Sequence, residues 1–184
     1  MFRKLPHLKL VFGLLALFIC TAALLSCRSV DWFVLKRSLR AKFSGERWIT
    51  TEQLADWLAD KSRAQPVLLD VRTPAEWKVS HLPHARQVDP AAPAEIAAGA
   101  EPKEAPIVTY CSVGYRSGEM ARRLRAAGFT HVQNLEGSIF EWANEHRSLV
   151  HDGKPATRVH PYDTIWGRLL QPEVRAPLPP NDDY

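Results

Sequence analysis

The sequence predicts an α/β domain built on a central parallel sheet with helices on both sides. Three short segments read as strands and point to it: the continuous apolar run 66–71 (PVLLDV), then 107–110 (IVTY) and 131–135 (HVQNL). The length and lack of alternation of the first suit a strand buried on both faces. Segments of helical period separate them, and alternating strands and helices give a parallel sheet covered on each side. The chain has 184 residues, 46% hydrophobic and 24% charged, enough for one domain with extensions and a core that needs no disulfide staples.

At the N-terminus, Arg3, Lys4 and Lys9 precede eighteen uncharged residues, 10–27 (LVFGLLALFICTAALLSC). As a helix this run reaches about 27 Å, the lower limit of a membrane span. A basic start and apolar middle also fit a signal peptide. Its end, Leu24-Leu25-Ser26-Cys27, resembles the lipobox of bacterial lipoproteins, where cleavage leaves a lipid-modified cysteine. Residues 1–27 thus read as a signal peptide or membrane anchor, with Cys27 the lipidation candidate; lipoprotein, uncleaved apolar helix and released protein stay open. The expected location is membrane-anchored in the cell envelope, on the periplasmic face, although the Lys and Arg excess after the segment points to the opposite face.

Residues 28–48 form a basic amphipathic linker carrying Arg28, Lys36, Arg37, Arg40, Lys42 and Arg47. Trp32, Leu35, Leu39 and Phe43 recur in it at helical spacing, giving a helix that lies on anionic lipid or packs on the domain. The net charge of +4 is concentrated here, so the rest is near neutral and no nucleic-acid partner is expected.

The domain proper is expected over residues 49–150. Thr50 and Gln53 read as a capping box, with Ile49 and Leu54 as its staple and Leu54, Trp57 and Leu58 as one helix face. Thr73-Pro74 starts a second helix, since proline is tolerated at the first helical position. Residues 93–102 are alanine-rich and read as a weak helix or a loop. Residues 119–127 are amphipathic and stop at Gly128. Residues 139–146 make the last helix, with Phe140 and Trp142 facing inward. Trp57, Trp77 and Trp142 are assigned to the core. Residues 151–184 form a C-terminal extension, in which residues 160–162 (HPY) and 165–170 (IWGRLL) wrap the domain or dock a partner. Prolines 172, 177, 179 and 180 predict disorder from Gln171 on.

In parallel sheets functional groups gather beyond the carboxyl ends of strands, where Asp70 and Cys111 stand. Of the three cysteines, Cys20, Cys27 and Cys111, the last is alone in the globular part. It has no disulfide partner there and makes no zinc site by itself, so it is a buried small hydrophobe or a reactive thiol. The segment that follows, Ser112-Val113-Gly114-Tyr115-Arg116-Ser117, decides between them. A glycine permits a tight loop, the loop turns backbone N–H groups into an anion nest, and a helix begins there with its positive end. A thiolate inside is stabilised and its pKa lowered. Arg116 adds a permanent charge and a planar fork for an oxyanion. The His81/His84 pair lacks a third ligand, so no metal site is expected.

These motifs occur in an order that resembles the single-domain rhodanese family from about residue 49 to 150. Asp70-Val-Arg72-Thr-Pro-Ala-Glu76-Trp77 resembles its first motif, and Ser80-His81-Leu82-Pro83-His84-Ala85 its Gly-His-Ile-Pro-Gly-Ala turn. Cys111 to Ser117 is similar to its active loop, Cys-x-x-Gly-x-Arg and a small residue, and Leu135-Glu136-Gly137 through Trp142 to its Leu-x-Gly-Gly…Trp element. Ser80, His84 and Glu136 stand where the family has glycines.

The resemblance implies a three-layer α/β/α fold and a sulfurtransferase with no cofactor. Cys111 would take a sulfane sulfur from thiosulfate or a persulfide and pass it to a thiol, cyanide or protein acceptor. Residues 112–117 would hold that sulfur and Arg116 would steer an anionic donor. Asp70 would organise loop amides, and Arg72 and Glu76 would form an ion pair bracing the first loop. Two rivals are weighed. Phosphatases and arsenate reductases of the Cdc25-like kind place five residues between cysteine and arginine, against four here. An anchored sulfur carrier or binding module would keep Cys111 with little turnover.

Overall fold

Five parallel strands form the central sheet of the computed structural model, which describes residues 31–178. β1 (Arg47–Ile49), β2 (Val67–Asp70), β3 (Arg86–Gln87), β4 (Ile107–Tyr110) and β5 (Val132–Leu135) run in the spatial order β1-β5-β4-β2-β3. The intervening helices are α2 (Thr51–Ala59), α3 (Pro74–Val79), α4 (Ala94–Ala98) and α5 (Tyr115–Ala126), with α1 over residues 31–42 before the sheet and α6 (Ser138–Asn144) after it. The central strand β4 is buried at all four positions, as a run without alternation requires. One side of the core joins Leu69 and Ile107 to Met120, Ala121 and Leu124, the inner face of α5, and to Phe129 and Val132. Fully burying each large apolar side chain contributes roughly 1.5–3 kcal/mol.

Local signals for two helices hold. Thr50 and Gln53 exchange both bonds of a capping box, and Ile49 and Leu54 are buried beside it. Thr73 and Glu76 do the same for α3, with Pro74 at its first position. The alanine-rich stretch resolves into α4, closed by Gly99 at φ 67°. Phe140 and Trp142 of α6 are buried, whereas Trp57 and Trp77 are half-buried and Trp77 stacks on His81.

Three features depart from expectation. β1 precedes the first capping box: residues 47–49 pair with Gln133, Asn134 and Leu135 of β5, a long-range pairing without a periodic signal in three residues. Past the last helix, β6 (Leu149–His151) and β7 (Lys154–Ala156) form an antiparallel hairpin across the expected domain end. The stretch from Gln171, expected to be disordered, is packed as far as Ala176. The Val159 N–H donates to the Val174 carbonyl (2.8 Å), the Ala176 N–H donates to the Val159 carbonyl (2.9 Å), and Val174 and Ala176 are buried. Backbone pairing with a distant segment overrides the proline-rich composition there.

The compact unit that holds the sheet and helices α2 to α6 starts at Lys36, within α1. Leu39 and Phe43, half of the expected amphipathic stripe, are buried within it. Gly118 makes room for Phe43: a Cβ there would lie 2.7 Å from the ring. The apolar run 10–27, with Cys20 and Cys27, lies outside the described residues. Among the described residues no helix is long and apolar enough to cross a membrane.

Candidate active site

β2 and β4 pair in register from Val67 with Ile107 to Asp70 with Tyr110, so Asp70 and, one residue further on, Cys111 stand at neighbouring strand ends. Residues 111–114 then turn into α5. Gly114, at φ 113°, occupies the left-handed region that glycine tolerates. The first turn of α6 fixes the loop from behind. Ile139 and Phe140 N–H groups donate to the Cys111 and Ser112 carbonyls (both 3.1 Å), Ser138 Oγ accepts the Cys111 N–H (3.2 Å), and Asn134 Nδ2 donates to the Gly114 carbonyl (2.9 Å). With these carbonyls held outward, donors are left for the thiol. The Gly114 N–H lies 3.1 Å from Cys111 Sγ, and Ser117 Oγ donates to it at 3.5 Å.

Cys111 is 1% exposed and lies at the base of a pocket of about 130 Å³ lined by Ser112, Val113, Tyr115, Arg116, Tyr162 and Trp166. Burial by itself would raise the thiol pKa. The Arg116 charge, the Ser117 hydroxyl and the Ser117 and Gly114 N–H groups outweigh it, and the net shift is downward. A thiol so placed is biased toward its nucleophilic form. Ser117 acts here as a hydrogen-bond donor to the sulfur and makes no side-chain cap to α5.

The charged residues are paired differently from expectation. The proposed Arg72–Glu76 ion pair is absent. Arg72 is bound to Asp70, Nε to Oδ1 at 2.9 Å and Nη2 to Oδ2 at 2.6 Å, with both side chains fully buried. The chain bends at Arg72 just past β2, and the Asp70 carboxylate accepts its N–H, which brings these two together. Arg72 Nη2 also donates to the Ser80 carbonyl (2.6 Å), and Asp70 accepts the Arg72 N–H (3.0 Å), its one loop amide.

Glu76, turned back by its capping box, instead faces α5. It takes Arg116 through both terminal nitrogens (2.8 and 2.7 Å), the Ser112 hydroxyl (2.7 Å) and the Thr73 N–H and hydroxyl (3.0 and 2.9 Å). Burial opposes the Glu76 charge, but Arg116 chiefly, with Arg72 and Ser112, holds its pKa down at about 2. The Arg116 fork is thereby committed to Glu76 and Ser112 and is not offered whole to a donor. Within 112–117, the sulfur contacts come from Gly114 and Ser117; Ser112 braces Glu76, while Val113 and Tyr115 line the pocket.

The extension supplies what sequence reasoning did not place in the site. Tyr162 lies with its ring 4.9 Å from the Arg116 guanidinium carbon, and Trp166 lines the same pocket. Their aromatic character in a segment past the domain end was the available signal. The glycine departures also find partners. Ser80 Oγ donates to the Arg158 carbonyl (2.7 Å), and Glu136 accepts from Nε and Nη2 of Arg40 (2.9 and 2.8 Å). His84 is exposed and holds the left-handed turn at φ 62° itself, away from the pocket lining.

Comparison with known proteins agrees with this geometry. A sulfurtransferase of Allochromatium vinosum is 35% identical over 102 residues, covering 55% of this chain and 92% of that one. The Mycobacterium tuberculosis protein named "Probable adenylyltransferase/sulfurtransferase MoeZ" is 36% identical over 102 residues, but the match spans only 24% of its length and 53% of this chain. Among solved structures, the rhodanese-like domain of an Anabaena protein superposes with a TM-score of 0.53 at 22% identity, covering 60% of this chain and 86% of that one. A Bacillus halodurans protein gives 0.52 at 23% identity, covering 62% and 85%. Residues 50–145, which hold Asp70, Glu76, the Cys111 loop and the α6 turn behind it, match the rhodanese-like domain, and the chain belongs to that family.

Proposed function

We propose that the domain is a sulfurtransferase that moves a sulfane sulfur from thiosulfate or a persulfide donor to a thiophilic acceptor through a persulfide on Cys111. One observation carries the reading: a buried thiol under Gly114 and Ser117 donors, beside Arg116, biased toward thiolate at the base of a small pocket. The sulfurtransferase names of the two curated relatives support the reaction class.

In the first half-reaction the Cys111 thiolate attacks the outer sulfur of the donor. A new S–S bond forms, the donor's bond to that sulfur breaks, and sulfite or a thiolate leaves with the electron pair. The persulfide anion inherits the loop donors, which are in place before reaction. In the second half-reaction a thiol or cyanide attacks the terminal sulfur and the Cys111 thiolate returns. Arg116 acts through its charge and by fixing Ser112 against Glu76. Four residues between Cys111 and Arg116, knitted to Glu76, suit one added sulfur better than a tetrahedral phosphate.

Intact mass after incubation with thiosulfate tests the proposal. The expected result is a gain of one sulfur atom on the full chain and none on Cys111→Ala. No gain, together with hydrolysis of an aryl phosphate, overturns it. Envelope anchoring through residues 1–27 is part of the same proposal, and the mass of protein purified from membranes reports whether Cys27 carries lipid.

A further inference from the structure

The pocket above Cys111 is walled by residues that the family match does not include. Tyr162 and Trp166 come from the extension, past residue 145, and face Val113 and Tyr115 across about 130 Å³. That volume is close to the roughly 150 Å³ of an apolar cavity that takes up benzene. The wall is braced. Asp163 Oδ1 accepts the N–H groups of Ile165 (2.8 Å) and Trp166 (2.7 Å), the Tyr162 N–H donates to His160 Nδ1 (3.0 Å), and a Cβ on Gly167 would lie 2.7 Å from Pro161. Trp166 is 37% exposed and Ile165 68%, so the rim beyond the pocket is apolar as well.

The cation in the pocket is Arg116, bound by both terminal nitrogens to Glu76 and covered by the Tyr162 ring. Lys42 sits on the Tyr115 hydroxyl at 2.9 Å and is not among the lining residues. A small dianion therefore meets a cation already paired with Glu76 and faced by the Tyr162 ring. An apolar substituent on the donor meets the surface it would bury against.

Resting on the sulfurtransferase reading, we infer that Tyr162 and Trp166 form a donor subsite selecting sulfane compounds with an apolar, preferably aromatic, substituent. The extension is thus a specificity element of the active site. With an aryl thiosulfonate, the Cys111 thiolate forms the S–S bond to the sulfane sulfur, the sulfur–sulfonyl bond breaks, and the aryl sulfinate leaves with the electron pair.

A series with one reacting group tests this: thiosulfate, methanethiosulfonate and benzenethiosulfonate, each with cyanide as acceptor and the full chain as enzyme. Benzenethiosulfonate is expected to exceed methanethiosulfonate in kcat/KM by about tenfold or more, since a buried ring adds far more apolar surface than a methyl group. Trp166→Ala should bring that ratio to within about twofold of unity, and Trp166→Phe should restore most of it. An unselective natural chain, or a ratio that survives in Trp166→Ala, overturns the subsite. Failure of all three donors to add sulfur to Cys111 by mass instead overturns the sulfurtransferase reading, and the subsite falls with it.

Discussion

The active loop and the flanking extensions are held to the same domain by different physics. Behind the loop, charge is buried and completely partnered: Asp70 with Arg72, both fully buried, and Glu76 with Arg116, Ser112 and Thr73. The extensions are tied by apolar packing and by polar pairs with one exposed member, among them Arg40 to Glu136 and Ser80 to the Arg158 carbonyl. A buried pair broken from one side leaves a charge without solvent, whereas an exposed pair exchanges its partner for water at little cost. The chain thus buries its chemistry behind charge pairs that water cannot replace, while the flanking segments lean on polar pairs that water can serve.

Breaking the buried framework should produce the largest effect. Glu76→Gln removes the carboxylate that gathers Arg116 and Ser112, and about 3 kcal/mol of stability should go with it at neutral pH, the low end for a one-sided break because Arg116 is 23% exposed. The pH dependence is a separate check. The folded pKa of about 2 lies below the ordinary glutamate value near 4.3, so the contribution is complete above that value and is lost as pH falls toward 2. Urea unfolding at pH 7 and pH 3 should show a smaller gap between natural chain and variant at the lower pH. A gap that is constant with pH removes Glu76 as the charged peg.

Much of this framework is legible in the sequence because its signals are local. β2 reads as a doubly buried strand and β4 as a strand from composition alone, Thr50 and Thr73 announce helix starts, and the residues from Cys111 to Ser117 carry their loop within themselves. What is not legible depends on rotation or distance. Glu76 could not be separated from Arg72 without knowing that its capping box turns it toward α5. β1 exists because three residues meet β5 more than eighty positions away. Tyr162 and Trp166 reach the pocket through a turn set by Asp163, and no periodicity marks it.

A smaller effect should separate the sulfur's own donors from the framework behind them. Ser117→Ala deletes the hydroxyl on Cys111 Sγ and leaves Glu76 and Arg116 in place. The rate of persulfide formation should rise with pH through the lowered thiol pKa and level off above it, because only the thiolate attacks. In the variant this limb should move to higher pH by about one unit, as a hydrogen bond to a charged acceptor contributes about 1.5 kcal/mol and one unit equals 1.36 kcal/mol. The two profiles should converge at high pH. An unmoved limb means that Arg116 and the N–H groups hold the thiolate without the hydroxyl.

The smallest effect belongs to the extensions and tests why two glycine positions of the family are filled here. Ser80 is extended at φ −173°, so its backbone needs no glycine, and its hydroxyl reaches the Arg158 carbonyl. Ser80→Ala should lower global stability by only about 1 kcal/mol, since the carbonyl it frees belongs to an exposed residue that water can serve. Local opening should respond more: hydrogen exchange at Val159 and Ala176, whose amides pair 159 with 174–176, should quicken about fivefold while β4 amides stay unchanged. Glu136→Gln, which weakens the exposed pair with Arg40, should leave that exchange unaltered because it anchors the other extension. If both variants quicken both segments, the extensions open together with the domain, and the pocket wall shares the rigidity of the loop it covers.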